Sequence, residues 1–197
     1  MDEDDLPADF DGLQYIASYG DLITAFGANP EAGRQHYLAF GQTEGRETDS
    51  FDEQQYLANY GDLRSVYGEG DEAGRAATVQ YIQFGAEQGR TDTAPPEDFD
   101  ALQYLASNGD LITAFGADRG AALEHYIVAG QFEGREIDSF DEGQYLENYA
   151  DLQAAFAGLD DDAAGEAATE HFVQYGFAQG RVDDPLPADT TALDFLV

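Results

Sequence analysis

Hydrophobic residues in this chain come in short bursts spaced three and four apart, punctuated by glycine, aspartate and proline. Phe51, Tyr56, Leu57 and Tyr60 form one burst, which breaks at Gly61-Asp62 and is followed by a shorter one carrying Leu63 and Val66. Such spacing predicts amphipathic helices. No segment shows the sustained alternation that a half-buried strand requires. Ser50-Phe51-Asp52-Glu53 and Ser139-Phe140-Asp141-Glu142 fit a capping box, serine accepting from a first-turn N–H and glutamate reaching back. Asp62 is placed to cap the short second helix. Asn29-Pro30-Glu31 starts a third, because asparagine caps and proline is tolerated at the first helical position; Ala32, His36, Tyr37 and Phe40 then mark its buried face.

The same order recurs. DLITAFGA stands at both 21–28 and 110–117, and the sequences around it, beginning at Phe10 and Phe99, match at an offset of 89 residues. A second pair, beginning at Phe51 and Phe140, has that same offset of 89. Four repeats share one frame: Phe-Asp, Tyr-hydrophobic, Asp-Leu, an aromatic near a glycine, and Gly-x-x-[Glu/Gln]-Gly-Arg. No single repeat carries enough apolar surface to close a core, so neighbours must stack. The expected architecture is all-α: tandem helical repeats, four units as a duplicated pair. Its divisions are an acidic extension (1–9), repeat pair 1 (10–90), a linker (91–98) containing TDTAPPE, repeat pair 2 (99–181) and a tail (182–197).

The frame FDxxxYLxxNxDL followed by HYxxxGxxEGR resembles a short helical repeat of bacterial surface, secreted and polysaccharide-associated proteins. The match is best from Phe99 to Arg135 and extends over nearly the whole chain. The resemblance implies a structural or interaction role and carries no established activity. Copies in that family usually have proline before the Asp; Gly20, Gly61, Gly109 and Ala150 stand there here, which predicts a looser turn.

Composition narrows the function. The chain has 41 acidic and 8 basic residues, every one of the latter arginine, for a formal net charge of −33. A surface of that sign repels phosphate backbones, so direct DNA or RNA binding is excluded. It also repels itself, and salt relieves that repulsion, which points to a salty or calcium-containing medium. Cysteine is absent, removing disulfides and thiolate metal sites. No apolar run approaches the ~20 residues of a membrane span, and Met1-Asp-Glu-Asp-Asp lacks the cationic and apolar regions of a Sec-type signal.

Four sets of residues are candidates for chemistry. Arg46, Arg90, Arg135 and Arg181 close the repeats, and Asp21, Asp62, Asp110 and Asp151 recur as strictly. Each guanidinium is expected to fork onto a carboxylate or helix-end carbonyls; an anion-binding row is disfavoured by the surrounding negative field. His36, His125 and His171 occupy one slot, filled by Gln80 in the second repeat. They read as buried, hydrogen-bonded histidines, with metal or haem ligation as the rival, although glutamine is a poor zinc or haem ligand.

The even repeats carry acidic, glycine-rich insertions, GEGDEAG (68–74) and GLDDDAAGE (158–166). Clustered carboxylates between glycines suit calcium, which makes Glu69, Asp71, Asp160, Asp161, Asp162 and Glu166 candidate ligands and calcium the candidate cofactor. A solvated acidic loop is the alternative, and the EF-hand register fails: counted from Asp160, the fifth position is Ala164 and the twelfth His171. No nucleophile–base motif or phosphate-cradling loop appears, so the chain reads as non-enzymatic.

The end, Asp194-Phe195-Leu196-Val197, resembles the uncleaved C-terminal export signal of type I secretion substrates such as serralysin-like metalloproteases. LPAD at both 6–9 and 186–189 offers another origin, the start of a fifth repeat. The sequence therefore points to a protein secreted by, or displayed on, a Gram-negative bacterium through a type I exporter. It would act as a structural, adhesive or interaction module toward a protein or a surface polysaccharide. Two readings stay open beside it: a cytoplasmic DNA mimic that blocks a nucleic-acid-binding protein, and a small haem or metal carrier using the three histidines.

Overall fold

The computed structural model describes residues 6–186 and is all-α, with no strand among them. Repeat 1 runs α1 (Gly12–Ala17), α2 (Gly20–Phe26) and α3 (Pro30–His36), then a π-helical turn (Tyr37–Gly41) and α4 (Gln42–Glu44). Repeat 2 has α5 (Glu53–Asn59), α6 (Gly61–Tyr67), α7 (Asp71–Gln80) and a π turn (Tyr81–Gly85). Repeat 3 has α8 (Ala101–Ala106), α9 (Gly109–Phe115), α10 (Arg119–His125), a π turn (Tyr126–Gly130) and α11 (Gln131–Glu133). Repeat 4 has α12 (Glu142–Asn148), α13 (Ala150–Phe156), α14 (Asp161–His171) and a π turn (Phe172–Gly176). No helix among the described residues is long and apolar enough to cross a membrane.

The Phe-Asp pair is the helix-start signal, and its aspartate is the cap. Asp11, Asp52, Asp100 and Asp141 each accept from first-turn N–H groups, Asp52 from Gln54 at 3.0 Å and Gln55 at 2.8 Å. This corrects the capping-box expectation: Ser50 and Ser139 lie two residues before the caps, Asp52 and Asp141. Their backbone N–H groups instead donate to the hydroxyls of Ser18 (3.0 Å) and Ser107 (2.8 Å) at the end of the preceding repeat's first helix. The second helices have no side-chain cap; Asp62 sits inside the first turn, where its charge still favours the helix N-terminus. Gly20, Gly61, Gly109 and Ala150 are the first helical residues, a position proline also tolerates, so no loose turn is present. Asn29 caps α3 as expected, accepting from Ala32 at 3.2 Å.

The insertions of the even repeats are corrected too. Most of their residues lengthen the third helix at its start, giving 10 residues in α7 and 11 in α14 against seven in α3 and α10. Asp71, Asp161 and Asp162 fall in those first turns, where carboxylates complement the helix dipole, and alanines follow.

Among the described residues two separate cores form, one with buried residues between 13 and 82 and one with buried residues between 102 and 173, each shared by an odd and an even repeat. Within each, the first helix of the odd repeat packs on the third helix of the even one: α1 on α7, α8 on α14. Odd and even repeats differ at one position of the first helix. Leu13 and Leu102 are buried, whereas Gln54 and Gly143 at the matching place in the even repeats are exposed.

The residue seven places after Asp-cap works with that alternation. It is Ser18 or Ser107 in odd repeats; in even ones it is Asn59, which donates to the carbonyls of Thr91 (2.9 Å) and Thr93 (3.0 Å), or Asn148, which donates to those of Val182 (3.0 Å) and Asp184 (2.8 Å). The even repeat so ties down its own exit segment. The segment read as a linker from residue 91 begins pinned to repeat 2, and the division between halves falls after Ala94.

Candidate functional site

The recurrent polar residues form two clusters in every repeat. In the first, a tyrosine of the first helix meets the histidine of the third. The Tyr15, Tyr104 and Tyr145 hydroxyls lie 3.0, 2.8 and 2.9 Å from Nδ1 of His36, His125 and His171. In repeat 2 the Tyr56 hydroxyl donates to Oε1 of Gln80 at 2.5 Å. An amide oxygen only accepts, so the tyrosine is the donor in repeat 2. Where the slot holds histidine, a tyrosine donating to Nδ1 requires the ring proton on Nε2.

All four tyrosines are fully buried. Burial pushes the hydroxyls of Tyr15, Tyr104 and Tyr145 up to about 12, nearby arginines opposing, and it raises Tyr56 as well. Burial likewise pulls His171 below its ordinary value, helped by Arg181 and opposed by Asp151. Aromatic rings complete the surroundings: His36 lies 5.6 Å from Phe26 and 5.5 Å from Phe40, ring to ring. Phe40 covers the imidazole with 58% of its own surface in solvent, contrary to the expectation that it faces the core. Gly41 is the residue that faces inward, against the Tyr15 hydroxyl.

In the second cluster each closing arginine reaches the aspartate of the second helix. Arg46 binds Asp21 at 3.0 and 2.9 Å, Arg90 binds Asp62 at 3.2 and 2.8 Å, and Arg181 binds Asp151 at 3.2 and 2.7 Å, all as bidentate forks. Arg135 meets Asp110 at 2.8 Å and Glu133 at 2.7 Å. The guanidinium hydrogen bonds hold Asp21, Asp110 and Asp151 below the usual carboxylate range; at Asp62 burial opposes, and Arg90 outweighs it. Arg46, Arg90 and Arg181 also lie over the rings of Tyr19, Tyr60 and Tyr149 at 4.7, 4.5 and 4.5 Å. Repeat 3 has Asn108 in the tyrosine's place, and its amide bonds the carbonyls of Tyr104 and Glu136 at 2.8 and 2.9 Å instead.

The backbone delivers each arginine. Gly45 has φ 69°, a left-handed value that glycine alone reaches without strain, and the next N–H, that of Arg46, donates back to the carbonyl of Gly41 at 3.0 Å. This is the Schellman end of a helix, repeated at Arg90, Arg135 and Arg181. Arg181→Ala should therefore cost roughly 1–2 kcal/mol, through the lost fork and the stacking on Tyr149. Arg119→Ala should cost only a few tenths, as expected of an exposed pair: Arg119 is 48% exposed and has one 3.4 Å contact, with Glu166. Thermal melts of the two variants check the order, and equal losses would contradict it.

The structure does not gather the candidate calcium ligands. Asp160 is consumed as the α14 cap, accepting from Ala163 at 2.9 Å; Asp161, Asp162 and Asp71 lie in first turns; Glu166 faces Arg119; and Glu69 is exposed before α7. No group of three or more His, Cys, Asp or Glu among the described residues is placed to hold a metal ion, and that includes the histidines. Asp194, Phe195, Leu196 and Val197 lie outside the described residues.

Sequence reasoning passed over one feature, a cleft of about 320 Å³ in the N-terminal half lined by Asp11, Gln14, Glu53, Asp71, Arg75 and Thr78. Its side chains are engaged with one another: Arg75 with Asp11 at 2.5 Å, Gln14 with Glu53, and Thr78 with Gln14 at 3.3 Å. The interface they span joins α1 to α5 and α7. Its counterpart in the C-terminal half keeps the pair Gln103–Glu142 at 2.9 Å and has Glu166 in place of Arg75. No protein-family model, curated protein or solved structure matches the chain.

Proposed function

We propose that this chain is an exported, non-enzymatic module of a Gram-negative bacterium, acting as a structural, adhesive or interaction element toward a protein or surface polysaccharide. The observation that carries the reading is the fate of the recurrent polar residues. In each repeat the tyrosine bonds to its histidine or glutamine, and the arginine to its aspartate. The frame uses its own chemistry to hold helices together, so recognition falls to the strongly acidic outer surface. Calcium has a role here as a screening counter-ion of that surface.

Export is supported by the absence of cysteine and lysine, by the acidity, and by the Asp194-Phe195-Leu196-Val197 end. The test is expression of the full chain in a Gram-negative cell carrying a type I exporter, beside a variant lacking those four residues. The intact chain is expected in the supernatant with its N-terminus uncut, and the shortened chain inside the cell. Retention of both, or export of both alike, would overturn the assignment.

A further inference from the structure

Repeats 2 and 4 build the same polar chain and end it differently. In repeat 2 the Tyr56 hydroxyl donates to Oε1 of Gln80. Burial raises that hydroxyl, and a side-chain hydrogen bond from Arg90 is among the influences opposing the rise. A guanidinium only donates and an amide oxygen only accepts, so the order runs from Arg90 to Tyr56 to Gln80. In repeat 4 Arg181 acts on the Tyr145 hydroxyl in the same way, and that hydroxyl lies 2.9 Å from Nδ1 of His171. With Arg181 donating to its oxygen, Tyr145 gives its own proton to Nδ1, which requires a neutral imidazole protonated on Nε2.

The two ends answer acid differently. Gln80 has no proton to take up, whereas a proton on Nδ1 turns His171 from acceptor into donor. Two donors would then face one phenolic oxygen, and a second cation would stand beside Arg181. Tyr145 cannot turn away, being fully buried with its hydroxyl seated against Gly176. Its own hydrogen would be left without an acceptor in the core. The elements around α14 offer little relief. Asp151 on α13, the carboxylate that acts on His171, is already forked onto Arg181 at 3.2 and 2.7 Å. Tyr149 at the end of α12 lies under Arg181, and Tyr175 of the π turn stands 5.7 Å from the imidazole, ring to ring. Glu170 on α14 itself holds Gln174 at 2.8 Å; on α8, also packed on α14, Asp100 serves as cap and Tyr104 meets His125.

We propose that repeat 4 is an acid-released latch: protonation of His171 undoes its bond with Tyr145 and loosens α14 from α12, while Gln80 keeps the matching contact of repeat 2 closed. Burial, then Arg181, hold His171 below its ordinary value of 6.5, with Asp151 opposing. The unfolded chain therefore takes the proton more readily than the folded one. The stability contributed by the neutral imidazole is whole above about 6.5 and is lost as the pH falls below it. Asp151, held low by Arg181, stays ionised through that window.

Amide hydrogen exchange of the full chain, corrected for the intrinsic rate at each pH, separates the repeats. From about pH 7.5 to about pH 5.5, protection in α12 and α14 should fall about tenfold in the parent, and further than in α5 and α7. His171→Gln installs the residue of repeat 2; it should match the parent at neutral pH and hold protection in α12 and α14 within about twofold across the same range. The imidazole nitrogens of the parent give a second reading: their chemical shifts at neutral pH should place the His171 proton on Nε2. An equal fall in parent and variant, an equal fall in α5 and α7 of the parent, or a proton on Nδ1 at neutral pH overturns the proposal. Should the variant fail to fold, the parent's exchange pattern and nitrogen shifts decide it alone.

Discussion

Gly130→Ala is expected to destabilise the C-terminal half by roughly 3 kcal/mol, combining overpacking with a broken buried hydrogen bond. A methyl group at this position would overlap the hydroxyl oxygen of Tyr104 and come within 3.1 Å of its ring carbon Cζ. Tyr104 is fully buried and cannot swing to solvent. Relief therefore requires moving the π turn or pulling the hydroxyl away from His125 Nδ1, now 2.8 Å distant. At the size of one half, that loss corresponds to a fall in melting temperature of more than ~10 °C. Gly134 four residues later is the comparison: its surroundings are open and only its φ of 68° demands glycine. Gly134→Ala should cost about 1 kcal/mol. Denaturant melts of both variants would expose the difference, and similar losses would mean that Tyr104 does not seat against the turn as described.

Raising monovalent salt from about 10 mM to about 0.5 M should increase the melting temperature of the intact chain by about 10 °C. Across that range the Debye length contracts from ~30 Å to below ~10 Å, so repulsion among the acids is screened beyond nearest neighbours. The same salt weakens the arginine pairs, which works against the gain. Exposed pairs contribute up to about 1 kcal/mol each, and the closing arginines keep most of their surface covered, at 17–24% exposure. With 41 acids against 8 arginines, the repulsive term dominates. A flat or falling melting temperature would show that bound ions already neutralise the acids at low salt.

The helical character and the element order were legible because hydrophobic spacing and Gly/Asp punctuation act locally. Misreadings arose where two local signals competed. Ser50 and Asp52 are both good caps, and Asp52 takes the position because Ser50 belongs to the contact with Ser18, a partner 32 residues away. GEGDEAG has the composition of a loop, yet its Asp71 and Glu72 are suited to a helix start and the alanines after them carry the helix on. The π turns have no compositional mark at all. Glycines at 41, 85, 130 and 176 recur visibly, but their cause, a tyrosine hydroxyl from the first helix, exists only in three dimensions. At the candidate site, the recurrence of Arg and Asp was plain, whereas which acid each arginine meets depends on how the third helix returns past the second. The alternation of Leu13 and Leu102 with Gln54 and Gly143 was visible in the sequence, and that the two leucines lie in separate cores emerged only in three dimensions.

Replacing all three histidines with glutamine, His36→Gln, His125→Gln and His171→Gln together, tests the central claim that the recurrent polar slots serve the frame. Gln80 already fills this slot in repeat 2, accepting from Tyr56. The triple variant should therefore keep its helical circular dichroism and melt at neutral pH within about 5 °C of the parent, and neither protein should show bound metal or a visible absorption band. Unfolding of the variant, or loss of a metal or chromophore that the parent carries, would contradict the account and make the histidines a ligand site.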